Sequence, residues 1–118
     1  MDMERIIRLH ARLLEKGSSD PLTGEDYRVR FYDNDIIKDD YLGESTLDGF
    51  GHAIVPVTRS DFRSADSPLE KYPDIYFTLV KDGKIIYKSP VCKNLHLEEI
   101  EDFPASGGLH CDLGTFVV

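Results

Sequence analysis

Apolar and polar residues alternate in short runs along most of this chain, the period of two that belongs to half-buried strands. Ile7, Leu9, Ala11 and Leu13 share one face of an extended segment, with Arg8, His10 and Arg12 opposite. A helical stripe through Ile6, Leu9 and Leu13 uses the same residues, so residues 5 to 15 have a second reading. The strand is favoured because it separates the charged positions cleanly and shares its period with the segment from Tyr27 to Tyr32. Between the two lies a turn-rich stretch from Lys16 to Gly24, and in the later segment Tyr27, Val29 and Phe31 again share a face. Residues 33 to 44 read as an acidic loop, Asp48-Gly49 as a tight turn, and His52 to Val57 as a strand that Pro56 assigns to a sheet edge.

The polar connection from Thr58 to Pro73 is too long for a simple hairpin and is expected to cross between sheets. Asp74 to Val80 and Ile85 to Pro90 make the clearest hairpin, with Asp82-Gly83 at its tip. Asn94 to Pro104 is acidic, Ser106 to Gly108 reads as a hinge-like loop, and Gly114 to Val118 closes the chain as a short strand. Short strands between turn signals, without alternation of helix and strand, predict an all-β, antiparallel, Greek-key-like β-sandwich of about seven or eight strands. It is expected to form a single domain over residues 1–118.

Composition narrows the function classes. With 118 residues, 41% of them hydrophobic, the chain holds one core and not two. Fourteen Lys and Arg against 22 Asp and Glu give a net charge of -8, which repels nucleic acid and makes another protein the expected partner. No apolar run of signal-peptide or membrane-spanning length occurs, which points to a cytoplasmic protein; a mature secreted fragment begun with a new Met would look the same. In the cytoplasm Cys92 and Cys111 are expected to be reduced rather than paired. An edge strand at Pro56 also allows a homodimer by sheet extension. Arg5, Arg8, Arg12, Arg28 and Arg30 would share one sheet face if the first two strands pair. Such a face could hold a carboxylate, a phosphate or, the reading preferred, the chain's own acidic segment.

Candidate chemistry centres on Asp33, Asp35, Asp39 and Asp40, with Asp48 downstream, because a hard cation needs about six to eight oxygens from such a source. Calcium is the implied ion, and a solvated acidic turn with Asp side chains capping backbone N–H groups is the competing and preferred account. A helix-loop-helix calcium loop fails because Ile37 and Lys38 stand where a polar ligand and Gly are required. Cys92 with His96, and His110 with Cys111, have zinc-ligand types without a compact zinc spacing. A thiol nucleophile among them lacks an orienting or oxyanion element. The run from Glu98 to Asp102 reads as a solvated face, or as a docking strip for a basic partner.

Pro21 to Gly24, Tyr27 to Asp33, Asp39 to Gly43 and Thr46 to Phe50 together resemble the opening half of transthyretin-like and carboxypeptidase-regulatory-like sandwiches, and Pro73 to Phe77 is similar to a later strand of that family. One branch of that superfamily hydrolyses 5-hydroxyisourate with His and Arg residues and a Tyr-Arg-Gly-Ser ending. This chain ends in Gly114 to Val118 without that motif, so no catalytic role carries over. Asp33, Asp35 and Asp40 also resemble the calcium loop of synaptotagmin-type lipid-binding domains, one residue short in spacing. The preferred reading is a transthyretin-like, non-catalytic binding or protein-interaction module that presents the loops 33 to 44, 58 to 73 and 102 to 113. Calcium would act through the acidic loop. The alternatives are a small transthyretin-related hydrolase using His52, His96 or His110 with an arginine, and a calcium-dependent lipid-binding domain. Two histidines and an arginine converging in a pocket would favour the hydrolase.

Overall fold

Strand alternation decides which side chains enter the core, and the computed structural model, which describes residues 6–34, 39–58, 74–92, 98–99 and 109–118, follows it closely. Eight strands form among these residues: β1 (Ile6–Leu14), β2 (Tyr27–Asp33), β3 (Asp40–Ser45), β4 (His52–Thr58), β5 (Ile75–Lys81), β6 (Lys84–Lys88), β7 (Glu98–Glu99) and β8 (Leu109–Val117). They make two four-stranded sheets, ordered β4-β1-β8-β7 and β3-β2-β5-β6. The chain crosses between sheets after β1, β3, β4 and β6. No helix long and apolar enough to cross a membrane occurs among the described residues.

Residues 5 to 15 are thus resolved as strand over Ile6–Leu14, with Ile7, Leu9, Ala11 and Leu13 fully buried. From the same sheet come Ala53, Val55, Val57 and Cys111, and from the facing sheet Val29, Phe31, Ile75, Phe77 and Leu79. Phe77 packs against Phe31 at 6.1 Å between ring centroids and edge-on against Phe116 at 4.9 Å. Each such apolar side chain contributes about 1.5–3 kcal/mol on burial, so this interleaved layer is the dominant stabilising element.

Four expectations need correction. The sandwich is antiparallel except at β1 and β8, which pair in parallel. β1 and β2 lie in different sheets, so the arginines are divided between two outer faces: Arg8 and Arg12 on one, Arg28 and Arg30 on the other, with Arg5 outside the described residues. The acidic loop 33 to 44 is shorter than expected, because β2 runs to Asp33 and β3 starts at Asp40. Likewise β8 takes the last residues of the 102 to 113 loop, beginning at Leu109. Edge position of β4, the strand with Pro56, agrees with the proline lacking a ladder donor. The β5–β6 hairpin turns at Asp82 and Gly83, both with positive φ as a two-residue hairpin turn requires.

A bulge in β8 shapes the outer face of its sheet. His10 pairs with Asp112 and Arg12 with Thr115, so two residues, Leu113 and Gly114, stand opposite Ala11 alone. Gly114 has φ +114°, and the Asp112 carboxylate accepts its N–H at 2.9 Å. The extra residue reverses the alternation, so Asp112 and Thr115, three positions apart, reach the same outer face.

Candidate functional site

The middle of the outer face of β4-β1-β8 is a patch three residues deep on each strand. Arg12, His10 and Arg8 run down β1, flanked by His52, Ile54 and Pro56 of β4 and by Thr115, Asp112 and His110 of β8. Three of the chain's four histidines meet there. His10 Nδ1 lies 3.1 Å from His52 Nε2, and His10 Nε2 lies 2.7 Å from His110 Nδ1. The ring planes are inclined by only 18° and 30°, with centroids 5.1 and 4.9 Å apart. Those separations are close to the nitrogen contact plus two ring radii, so the imidazoles lie edge to edge in a hydrogen-bonded row rather than face to face.

Such a row has a defined chemistry. Each contact is satisfied by one N–H and one lone pair, so the neutral row is fully bonded in either tautomeric direction. A first added proton is also accommodated, because a protonated His10 donates to both neighbours. A second would set two N–H groups against each other. Burial, and then the positive charge of His52 and His110 when they are protonated, hold His10 below the usual histidine range; Asp112 works against this, and Arg8 with it. The nitrogens of His10 point to its two neighbours rather than to a shared point. Among the described residues no group of three or more His, Cys, Asp or Glu is disposed to hold a metal ion.

The His52 end of the row opens into a cleft of about 500 Å³ lined by Arg12, Asp48, Phe50, His52, Asp112 and Thr115. Its outer wall is the turn from Asp48 to His52. Asp48 Oδ1 accepts the backbone N–H groups of Phe50 at 2.8 Å and His52 at 2.9 Å, which closes the turn. Burial, the largest single effect on the Asp48 carboxyl, pushes it up, but those two N–H groups, together with the charges of His52 and Arg12, outweigh it and leave the group below its usual range. Gly51, at φ +72°, lets the turn lie directly on β1: its carbonyl accepts the Leu13 N–H at 2.8 Å, and an added Cβ would overlap the Leu13 carbonyl oxygen. Phe50 is left 73% exposed at the rim.

Both cleft carboxylates, Asp48 and Asp112, are held by backbone N–H groups through one oxygen each, while the Arg12 guanidinium is hardly engaged. Arg12 makes one long hydrogen bond, from Nε to the Phe50 carbonyl at 3.4 Å, and its terminal Nη groups make none among the described residues. Next to the row, Arg8 Nη1 is buried without a hydrogen-bond partner among the described residues.

Of the expected calcium ligands, Asp33, Asp39 and Asp40 lie near one another at one end of the β2–β3 pair, and Asp48 lies apart from them. Asp33 ends β2 and is buried, Asp40 sits opposite it at the start of β3, and Asp39 accepts the Tyr76 hydroxyl at 2.5 Å. Asp48 lies beyond the other end of β3, in the cleft turn, and does not join them. Asp35 falls outside the described residues, as do His96 and the segment 59–73. Cys92 and Cys111 are both free thiols. Cys111 points into the core while His110 points out, so the neighbours cannot act as nucleophile and base. Burial first, then Cys92 and Asp112, push the Cys111 thiol up to about 12. His10 is the functional residue hardest to see in sequence: its alternation puts it on the polar face of β1, and only the β1–β8 pairing brings it to His110.

No protein-family model and no curated protein matches the chain. Among solved structures, the chain is similar to part of a 9R-lipoxygenase from Cyanothece PCC8801, with a TM-score of 0.59 and 16% identity over 97% of this chain. It spans only 16% of the lipoxygenase's length. It is also similar to the dioxygenase domain of a dioxygenase and carbohydrate-binding protein fusion from the cellulolytic bacterium Streptomyces sp. SirexAA-E, with a TM-score of 0.50 and 11% identity over 98% of this chain and 80% of that one. At these identities both likenesses are likenesses of fold, and the fold they support is the β-sandwich.

Proposed function

We propose that this chain is a β-sandwich binding module whose site is the cleft beside the imidazole row, and that it takes a small organic carboxylate. The observation that carries this reading is the set of donors at one place: Arg12 with open Nη groups, His52 and the Thr115 hydroxyl, beside carboxylates already bonded to backbone. A planar carboxylate matches the guanidinium fork in two parallel hydrogen bonds. Phe50 at the rim suits an apolar or aromatic body on the ligand, and the cleft volume lies in the small-molecule range. The likeness to one sixth of a lipoxygenase chain fits a sandwich that serves as one part of a larger assembly. Titrating the protein with sodium benzoate under backbone NMR tests the reading. Shifts should cluster at Arg12, Phe50, His52 and Thr115 and disappear in Arg12→Gln; shifts scattered over the surface, or none at millimolar benzoate, would sink it.

A second reading, a small hydrolase, is favoured by one observation, His52 and Arg12 lining the same cleft with His10 and His110 hydrogen-bonded in a row behind His52. There His52 would act as general base toward water and Arg12 would stabilise the oxyanion. Turnover of p-nitrophenyl acetate well above that of an equal concentration of free imidazole, and lost in His52→Gln, would establish it. A rate equal to free imidazole would remove it.

A further inference from the structure

We infer that the cleft takes its carboxylate together with one proton, held by the His52–His10–His110 row, so that binding is coupled to pH. This rests on the carboxylate reading of the cleft and adds to it the charge that makes an anion acceptable there. Among the described residues, the charged groups on or beside the face of His10 are few. Arg8 and Arg12 flank it on β1, Asp112 lies across on β8, and Asp48 sits in the turn beside His52. Glu98 of β7 occupies the register position opposite His110. Ile54 and Pro56 of β4 are uncharged. With all three imidazoles neutral, the two arginines are matched or outnumbered by carboxylates, and the face holds no surplus positive charge for an incoming anion.

One proton changes that balance without breaking a contact. It enters at the row, converts one imidazole to imidazolium, and leaves both hydrogen bonds intact because His10, donating from both nitrogens, needs only lone pairs on His52 Nε2 and His110 Nδ1. No bond to carbon forms or breaks, and the proton comes from solvent. The positive charge then stands two hydrogen-bonded rings or fewer from the cleft wall, where His52 meets the ligand. Row geometry also sets the number: a second proton would place two N–H groups nose to nose, so the uptake stops at one. Half-burial of His10 disfavours an extra proton on it in the empty site, which leaves that proton for ligand binding to draw in. By linkage, a ligand that binds only the protonated row gains affinity about tenfold for each pH unit lowered, down to the pH where the empty row is itself protonated.

Benzoate affinity of the full chain is to be measured between pH 6 and 8.5 at constant ionic strength, with calorimetry in two buffers of different ionisation heat to count protons. We expect a tenfold loss of affinity per unit rise in the upper part of the range and close to one proton taken up per benzoate. His10→Gln should bind benzoate with a flatter profile and less than half a proton. Binding that depends on Arg12 but not on pH would overturn the coupling and leave the carboxylate site standing. An unchanged slope in His10→Gln would also overturn it, by placing the proton elsewhere. No benzoate binding at pH 6 would remove the site itself and the coupling with it. Should His10→Gln fail to fold, as checked by circular dichroism, His110→Gln serves in its place, since it cuts the row at the end away from the cleft.

Discussion

The two outer faces of the sandwich are built from the same kinds of residue and differ in how their cations are partnered. On β3-β2-β5, Arg28 and Arg30 both reach Glu44, at 3.6 and 3.3 Å, and Arg28 also donates to the carbonyls of Glu25 and Tyr27. Tyr32 packs between Tyr41 and Tyr76 at centroid distances of 5.7 and 5.1 Å, and Tyr76 donates to Asp39. Lys88 lies over the Tyr76 ring and Lys81 over Tyr27. Every cation named there has a partner within the chain. On β4-β1-β8, among the described residues, neither Arg8 nor Arg12 makes an ion pair, and an imidazole row replaces the tyrosine row. A row of rings across a sheet is therefore structural where its polar ends are answered internally, and becomes a candidate site where donors are left over. The expectation that the arginines meet the chain's own acidic residues holds for Arg28 and Arg30, while Arg8 and Arg12 have no such partner among the described residues.

Gly51→Ala should disturb this contrast most. The new Cβ would strike the Leu13 carbonyl, and the backbone angle is already unfavourable, so the variant should lose about 3 kcal/mol by urea unfolding. Benzoate binding should fall with it, since the same turn carries Phe50 and His52, while the Tyr32 face stays intact. On the other face, Tyr76→Phe removes a buried hydroxyl that donates to a carboxylate; a loss of about 1.5 kcal/mol in thermal unfolding is expected. Burial, then the bond to Asp39, raise the Tyr76 phenol well above its ordinary value, so a spectrophotometric titration should show a phenol that stays un-ionised well beyond pH 10 and is missing in Tyr76→Phe.

The pH response should separate the faces further. His10 binds its proton less readily folded than unfolded, so the unfolded chain takes up more protons as pH falls through the ordinary histidine value of 6.5. This contribution to stability is present above pH 6.5 and lost below it. Urea midpoints should therefore drop between pH 7.5 and pH 5.5, and His10→Gln should shrink the drop; an equal drop in both proteins would place the titration elsewhere. The smallest effect belongs to Glu44→Gln. Its two arginines are more than a third exposed, so the change should cost at most about 0.5 kcal/mol and vanish in high salt.

Period-two alternation in the chain specified the strands, the edge position of Pro56, the Asp82-Gly83 hairpin and the inward set Ile7, Leu9, Ala11 and Leu13, because side-chain direction in a strand is a local property. It also placed Arg8, His10 and Arg12 on the face away from the core. β3 was hidden in what read as an acidic loop, since Gly43 and its aspartates speak for a turn until β2 offers them a partner. The site came from strand pairing alone. His10 and His110 are 100 residues apart, and no local pattern announces that β8 lies parallel beside β1. The bulge at Leu113 and Gly114 then turns Thr115 outward against the parity of its strand. Strand pairing is a choice among distant partners made by burying the whole core at once, and a row of three imidazoles is a product of that choice.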